Sequence, residues 1–178
     1  MEHADSVCGS DRLYPRDPAQ RRAVEALEEQ FDGELGPPTR RWAYAQLLHE
    51  KGILRRMMSR GVPRAEASLL PVIMPMVIPA IRNGLRITAE SAQRSMQRVY
   101  AIFREVDERL DDRRRFLVGE RFTAADLNFA SLAAPVLLSD GCRAAQPELD
   151  EVPATMREAV LHLRDAGAGQ FALRLFSL

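Results

Sequence analysis

The sequence predicts an all-α protein, a helical bundle of about seven helices resting on three observations. Apolar residues recur at steps of three and four along most of the chain. No segment sustains the period-two alternation of a half-buried strand. Cap residues and helix-starting prolines precede the apolar stripes, and glycine or proline follows them. Repeats and low-complexity runs are absent.

The elements follow in order. Asp17-Pro18-Ala19-Gln20 places a cap, a proline at the first helical position and an amide at the third. Val24, Leu27, Phe31 and Leu35 then mark one helical face. Gly36-Pro37-Pro38 stops or kinks this helix. A second helix is expected from about Thr39 to Ser59, carrying Trp42, Leu48 and Met57, with Gly61 and Pro63 ending it.

"SLLPVIMPMVIPAI" (68–81) is too short to span a bilayer. Its Pro71, Pro75 and Pro79 recur every fourth residue and would share one helical face. The expectation is a third helix, buried and kinked, closing near Gly84. Thr88 caps a fourth, whose stripe of Ala92, Met96, Val99, Phe103, Val106 and Leu110 suits packing along neighbouring helices. A fifth lies in 121–138, a sixth starts at Pro153, and "GQFALRLF" (169–176) forms a short seventh.

The fifth helix carries its own start signal. Thr123 is an N-cap, and Asp126 stands at the third helical position. The threonine oxygen would accept from the Asp126 N–H, and the carboxylate would accept from the Thr123 N–H. Phe122 and Leu127 occupy the positions of a hydrophobic staple. The helix behind is apolar nearly all round, so it should run through the core. A buried helix start cannot borrow water for its free N–H groups, so the protein must supply the acceptor. Asp126 is therefore read as structural and not catalytic.

Composition narrows the function classes. The 178 residues are 46% hydrophobic and 28% charged, with zero formal net charge. No global field draws such a chain to nucleic acid or to an anionic membrane, and neither is expected as a partner. Lys51 is the single lysine among 25 basic residues, a bias read as the codon usage of a GC-rich bacterial genome. Cys8 and Cys142 form neither a disulfide framework nor a metal spacing, which points to reduced thiols in a cytoplasm. "MEHADSVCGSDR" (1–12) lacks the apolar centre of a signal peptide.

At these residues the sequence resembles a family. "FLVGERFTAADL" (116–127) is similar to the start of the central core helix in glutathione S-transferases. "LYPRDPAQRRAVEALEEQFDGELG" (13–36) resembles the linker and first helix of that family's C-terminal domain, and "GQFALRLF" its closing helix. The resemblance implies a C-terminal-type helical domain over 13–178, preceded by a tail, 1–12, left from another domain or linker.

No βαβ pattern precedes Leu13, so the family's N-terminal thioredoxin-like domain, which binds glutathione, is not expected within these residues. Asp5 and Ser6 resemble the family's acid–serine pair, but too few residues separate them from Leu13 to hold the helix that follows that pair. "HAD" (3–5) fits better as the tail of that last helix. No catalytic residue carries over.

Other chemistry is sparse. Cys8 has no activating neighbour in sequence. His49 and His162 lack metal-ligand spacing, no metal is expected, and surface or capping roles suit them. Arg113, Arg114 and Arg115 follow Asp111 and Asp112 in what reads as a solvated loop without interleaved aromatics. "RRWAY" (40–44) supplies the substrate-pocket candidates, Trp42 and Tyr44, because the matching helix of the family borders the electrophile pocket. Two residues apart on a helix, they cannot point the same way.

Three functions fit these residues: a binding or interaction module without stand-alone glutathione conjugation; a glutathione transferase whose first domain is supplied elsewhere; and an assembly domain of a larger complex. No cofactor is expected, with glutathione a co-substrate only if a thioredoxin-like domain is supplied. A homodimer or a separate thioredoxin-like protein is the expected partner, through apolar surface around Phe31, Trp42, Phe171 and Phe176.

Overall fold

A computed structural model describes residues 13–59, 63, 69–111, 114–139 and 146–177. Among them are eight helices and no strand. The expected all-α architecture is present, with one predicted helix divided in two.

Helix α1 (Pro18–Glu34) begins where expected, with Gln20 N–H donating to Asp17 Oδ2 at 2.8 Å. Its buried residues are Val24, Leu27 and Phe31. Leu35 alone separates it from α2 (Gly36–Leu47), which starts on Pro37. The long helix expected from Thr39 to Ser59 is broken after Leu47. Glu50 N–H donates to Leu47 O at 2.9 Å, a bond three residues back that tightens the chain out of α-helical register. Helix α3 (Lys51–Ser59) restarts in a direction that lets it bury Ile53 and Leu54.

Helix α4 (Leu70–Gly84) corrects the expectation of a buried core element. Only Leu70 and Met74, one turn apart, are buried. Pro71, Pro75 and Pro79 are exposed along a cleft shared with α3, and Val72 and Met76 are 73% and 77% exposed. The helix packs chiefly on short α3, which leaves it too little neighbouring surface to cover more than one stripe.

Its end is tightly wound. Ile87 N–H donates to Arg82 O at 2.8 Å, and Arg86 takes the left-handed conformation, φ 50°. This is the helix-ending geometry in which glycine is the usual residue.

Helix α5 (Ala89–Leu110) starts on a reciprocal box: Ser91 N–H donates to Thr88 Oγ1 at 3.0 Å, and Thr88 N–H to Ser91 Oγ at 2.8 Å. The expected stripe is buried from Ala92 to Val106, with Leu110 half-buried against the same core. Helix α6 (Ala124–Leu137) runs through the centre, touching α1, α2, α7 (Ala154–Asp165) and α8 (Gly167–Leu175). Phe129 of α6 is the hub. Its ring lies 5.3 Å from Phe31, 5.5 Å from Phe103 and 6.1 Å from Phe171, joining four helices in one aromatic cluster.

That cluster overturns the expected apolar surface. Phe31, Trp42 and Phe171 are buried, and Phe176 is half-buried against the core. Among the described residues the large exposed apolar side chains include Leu69, Val72, Ile73 and Met76, on and beside α4. Among the described residues no single helix is long and apolar enough to cross a membrane; α4 and α5 reach that length together only across a 61° bend.

Candidate functional site

Thr123 and Asp126 are both fully buried at the start of α6. Asp126 Oδ2 accepts from Thr123 N–H at 2.8 Å and from the Thr123 hydroxyl at 2.7 Å. Its other oxygen accepts from Leu117 N–H at 2.8 Å. Burial pushes the Asp126 carboxyl above the usual range, and the bonds from Leu117 and Thr123 pull the other way. Every donor around the acid belongs to the protein's own scaffold, so the group holds a loop to a helix. Phe122 meets Phe116 edge-on at 6.2 Å, while Leu127 is 37% exposed.

Trp42 and Tyr44 point into different spaces, as their spacing requires. Trp42 is buried and forms part of the wall of a cleft of about 520 Å³ between α2 and the α4–α5 turn. Leu48, Ile87 and Ala92 share its apolar side, and Gln46, His49, Gln93 and the charged Arg82 bring polar groups. Tyr44 is half-buried and lines a smaller space of about 170 Å³ with Arg40, Met57 and Leu138. Pockets of the larger size, apolar with a few polar groups, are typical of small-molecule sites.

His162 lies in the last turn of α7, its ring 5.5 Å from Tyr100. Arg115 is exposed and stacks on Phe116, 5.4 Å from the ring centre. Asp5, Ser6, Cys8, Arg113 and Cys142 lie outside the described residues. Among the described residues no group of three or more His, Cys, Asp or Glu could hold a metal ion.

The family model described as "Glutathione S-transferase, C-terminal domain" matches residues 69–156, from the start of α4 through the core helix to the first turn of α7. The helical bundle is glutathione S-transferase C-terminal-like. No curated protein and no solved structure gives a match.

Within this glutathione S-transferase-like domain, three arrangements escaped the sequence reading. Arg164 of α7 donates to Leu137 O at 2.7 Å and Leu138 O at 2.5 Å, capping the far end of α6 where Leu138 turns left-handed. Asp107 of α5 accepts from Ala168 N–H at the start of α8, capping a helix remote in sequence. Arg41, Arg86, Arg94 and Arg98 converge on a second cleft of about 450 Å³. Each joins residues far apart in the chain, and no local spacing announces such a meeting.

Proposed function

We propose that this glutathione S-transferase-like helical domain is a binding module that takes a small, mainly apolar molecule beside Trp42 and does not conjugate glutathione alone. The observation that carries this is the cleft itself: an indole and aliphatic lining with polar groups from Gln46, His49, Arg82 and Gln93. The residues that hold glutathione in the family's first domain have no matching positions in 13–178, which supports the second half. A cytoplasmic location belongs to the same reading.

Trp42 is the single tryptophan, so its emission reports the cleft directly. Titration with a neutral naphthalene probe should change that emission saturably. Ala45, half-buried on the cleft wall, offers a blocking variant: Ala45→Phe should abolish the change. A linear, unsaturating response, or one unaltered by Ala45→Phe, would reject the site. Calorimetry with millimolar glutathione should give no binding heat; a saturable isotherm with one site per chain would reject the absence of glutathione chemistry.

A second reading, docking of a separate thioredoxin-like domain or another copy of the chain, is favoured by the exposed face of α4. Val72 and Met76 are largely exposed there, and contiguous apolar surface marks contact sites. Light scattering over a tenfold concentration range should show association that Met76→Glu abolishes. A monomer at every concentration, with no change on adding a thioredoxin-like protein, excludes this reading.

A further inference from the structure

The second cleft lies between α2 and the start of α5, next to the Trp42 cleft and sharing Thr88 with it. Arg41, Arg86, Arg94 and Arg98 line it with Ser91 and Ser95. The charges there do not cancel. Arg98 is matched by Glu34, with which it makes a short ion pair, and by Glu105 at 3.8 Å. Arg94 faces Glu90 at 3.5 Å. Among the described residues Arg41 pairs with no carboxylate: its guanidinium donates to Leu85 O at 2.8 Å and Ser95 Oγ at 3.1 Å. The Arg86 side chain makes no hydrogen bond or ion pair among the described residues. Four guanidiniums therefore face three carboxylates, which leaves a net positive charge, and Arg41 and Arg86 are the two not paired with an acid, at the positive end of the α5 dipole.

Three details favour an anion there. Arg41 is fixed by its two neutral acceptors, which leaves further N–H groups in a set direction and lowers the cost of binding. Arg86 occupies a left-handed backbone position that suits glycine, so its side chain is placed there against the local preference. Ser95 adds a hydroxyl that is 2% exposed and has no acceptor for its proton among the described residues.

We infer that this cleft binds a small soluble molecule through a phosphate-like dianion. Arg41 and Arg86, neither paired with a carboxylate, offer N–H donors to the oxygens of a phosphate monoester, and the net positive charge of the cleft favours an anion there. The space, about 450 Å³, holds more than the phosphate, so the natural ligand is an ester carrying an organic group towards the Trp42 cleft.

The test uses the full chain with inorganic phosphate and pyrophosphate as probes, by calorimetry and thermal shift, against chloride at equal ionic strength. Both phosphates should bind saturably and raise the melting temperature; chloride should not. Arg86→Gly removes the guanidinium and relieves the backbone, so the variant should melt no lower than the parent without ligand yet bind at least tenfold more weakly. Glu34→Gln frees Arg98 and should tighten binding. The proposal is overturned if phosphate gives no heat, if chloride acts equally, or if Arg86→Gly binds like the parent. Uptake by phosphatidic acid vesicles without binding of dissolved phosphate would assign the surface to a membrane and also overturn it.

Discussion

Asp126 reaches past its own helix to Leu117: the carboxylate that completes the Thr123 box also accepts the Leu117 N–H, at 2.8 Å. One acid therefore closes a helix start and pins the loop before it. Thr123→Ala should cost roughly 1 kcal/mol, the usual value of a lost cap. Asp126→Ala leaves the N–H groups of Leu117 and Thr123 unpaired in the core and should cost about 2 kcal/mol or more. The double variant should lose less than the sum, because the two side chains share one motif. Urea unfolding measures all three, and an unchanged midpoint for Asp126→Ala excludes the anchor role.

The same acid should leave a mark in the pH dependence. Its folded pKa is raised by burial, so the native state holds the proton longer than the unfolded chain, where aspartate titrates near about 3.9. The Asp126 contribution is full below that unfolded value and declines as pH rises through the raised folded one. The stability advantage of the parent over Asp126→Asn should therefore be greater below about pH 4 than at neutral pH. The reverse slope would show that the hydrogen bonds outweigh burial.

Much of this motif was legible. Thr123, Asp126 and the apolar run behind them sit within fifteen residues, and caps are local by nature. The stripe of α5 was legible for the same reason. The buried reading of α4 failed because an apolar composition does not say whether a neighbour is there to cover it; among the described helices its main neighbour is short α3. In the candidate sites, the spacing of Trp42 and Tyr44 showed that they point apart; that each lines a cleft of its own was not legible, since the walls opposite come from distant parts of the chain. The arginine cleft was invisible, since Arg41 and Arg86 meet only through tertiary folding.

Arg164 anchors the opposite end of the core helix. Its guanidinium covers the carbonyls of Leu137 and Leu138, which have no further turn of α6 to bond them. Arg164→Ala should cost roughly 1.5–3 kcal/mol, as for other hydrogen bonds to a charged group. Arg164→Lys should recover only part of this, because an ammonium lacks the planar fork. Equal melting temperatures for lysine and arginine would mean that charge alone holds the helix end.

Asp107 should matter to α8 alone. Asp107→Ala removes the acceptor of the Ala168 N–H and should cost about 1 kcal/mol, with faster amide exchange at Ala168 and Gly169 than in α6. Uniformly faster exchange through the bundle would show that α8 does not open separately.

Gly169 gives the last outcome. A Cβ there would stand 1.8 Å from Leu163 O, a backbone atom that cannot rotate away. Gly169→Ala must push α8 off α7 and should cost at least about 3 kcal/mol, the scale of severe core disruption. In an evolving lineage this position is frozen for as long as the two helices cross so closely, whatever the molecule binds. Descendants could exchange every cleft residue and still carry the glycine. An unvarying Gly169 across relatives would therefore record ancestry of the crossing, and divergence in ligand must be sought at positions free to drift, such as Ala45 and Arg86.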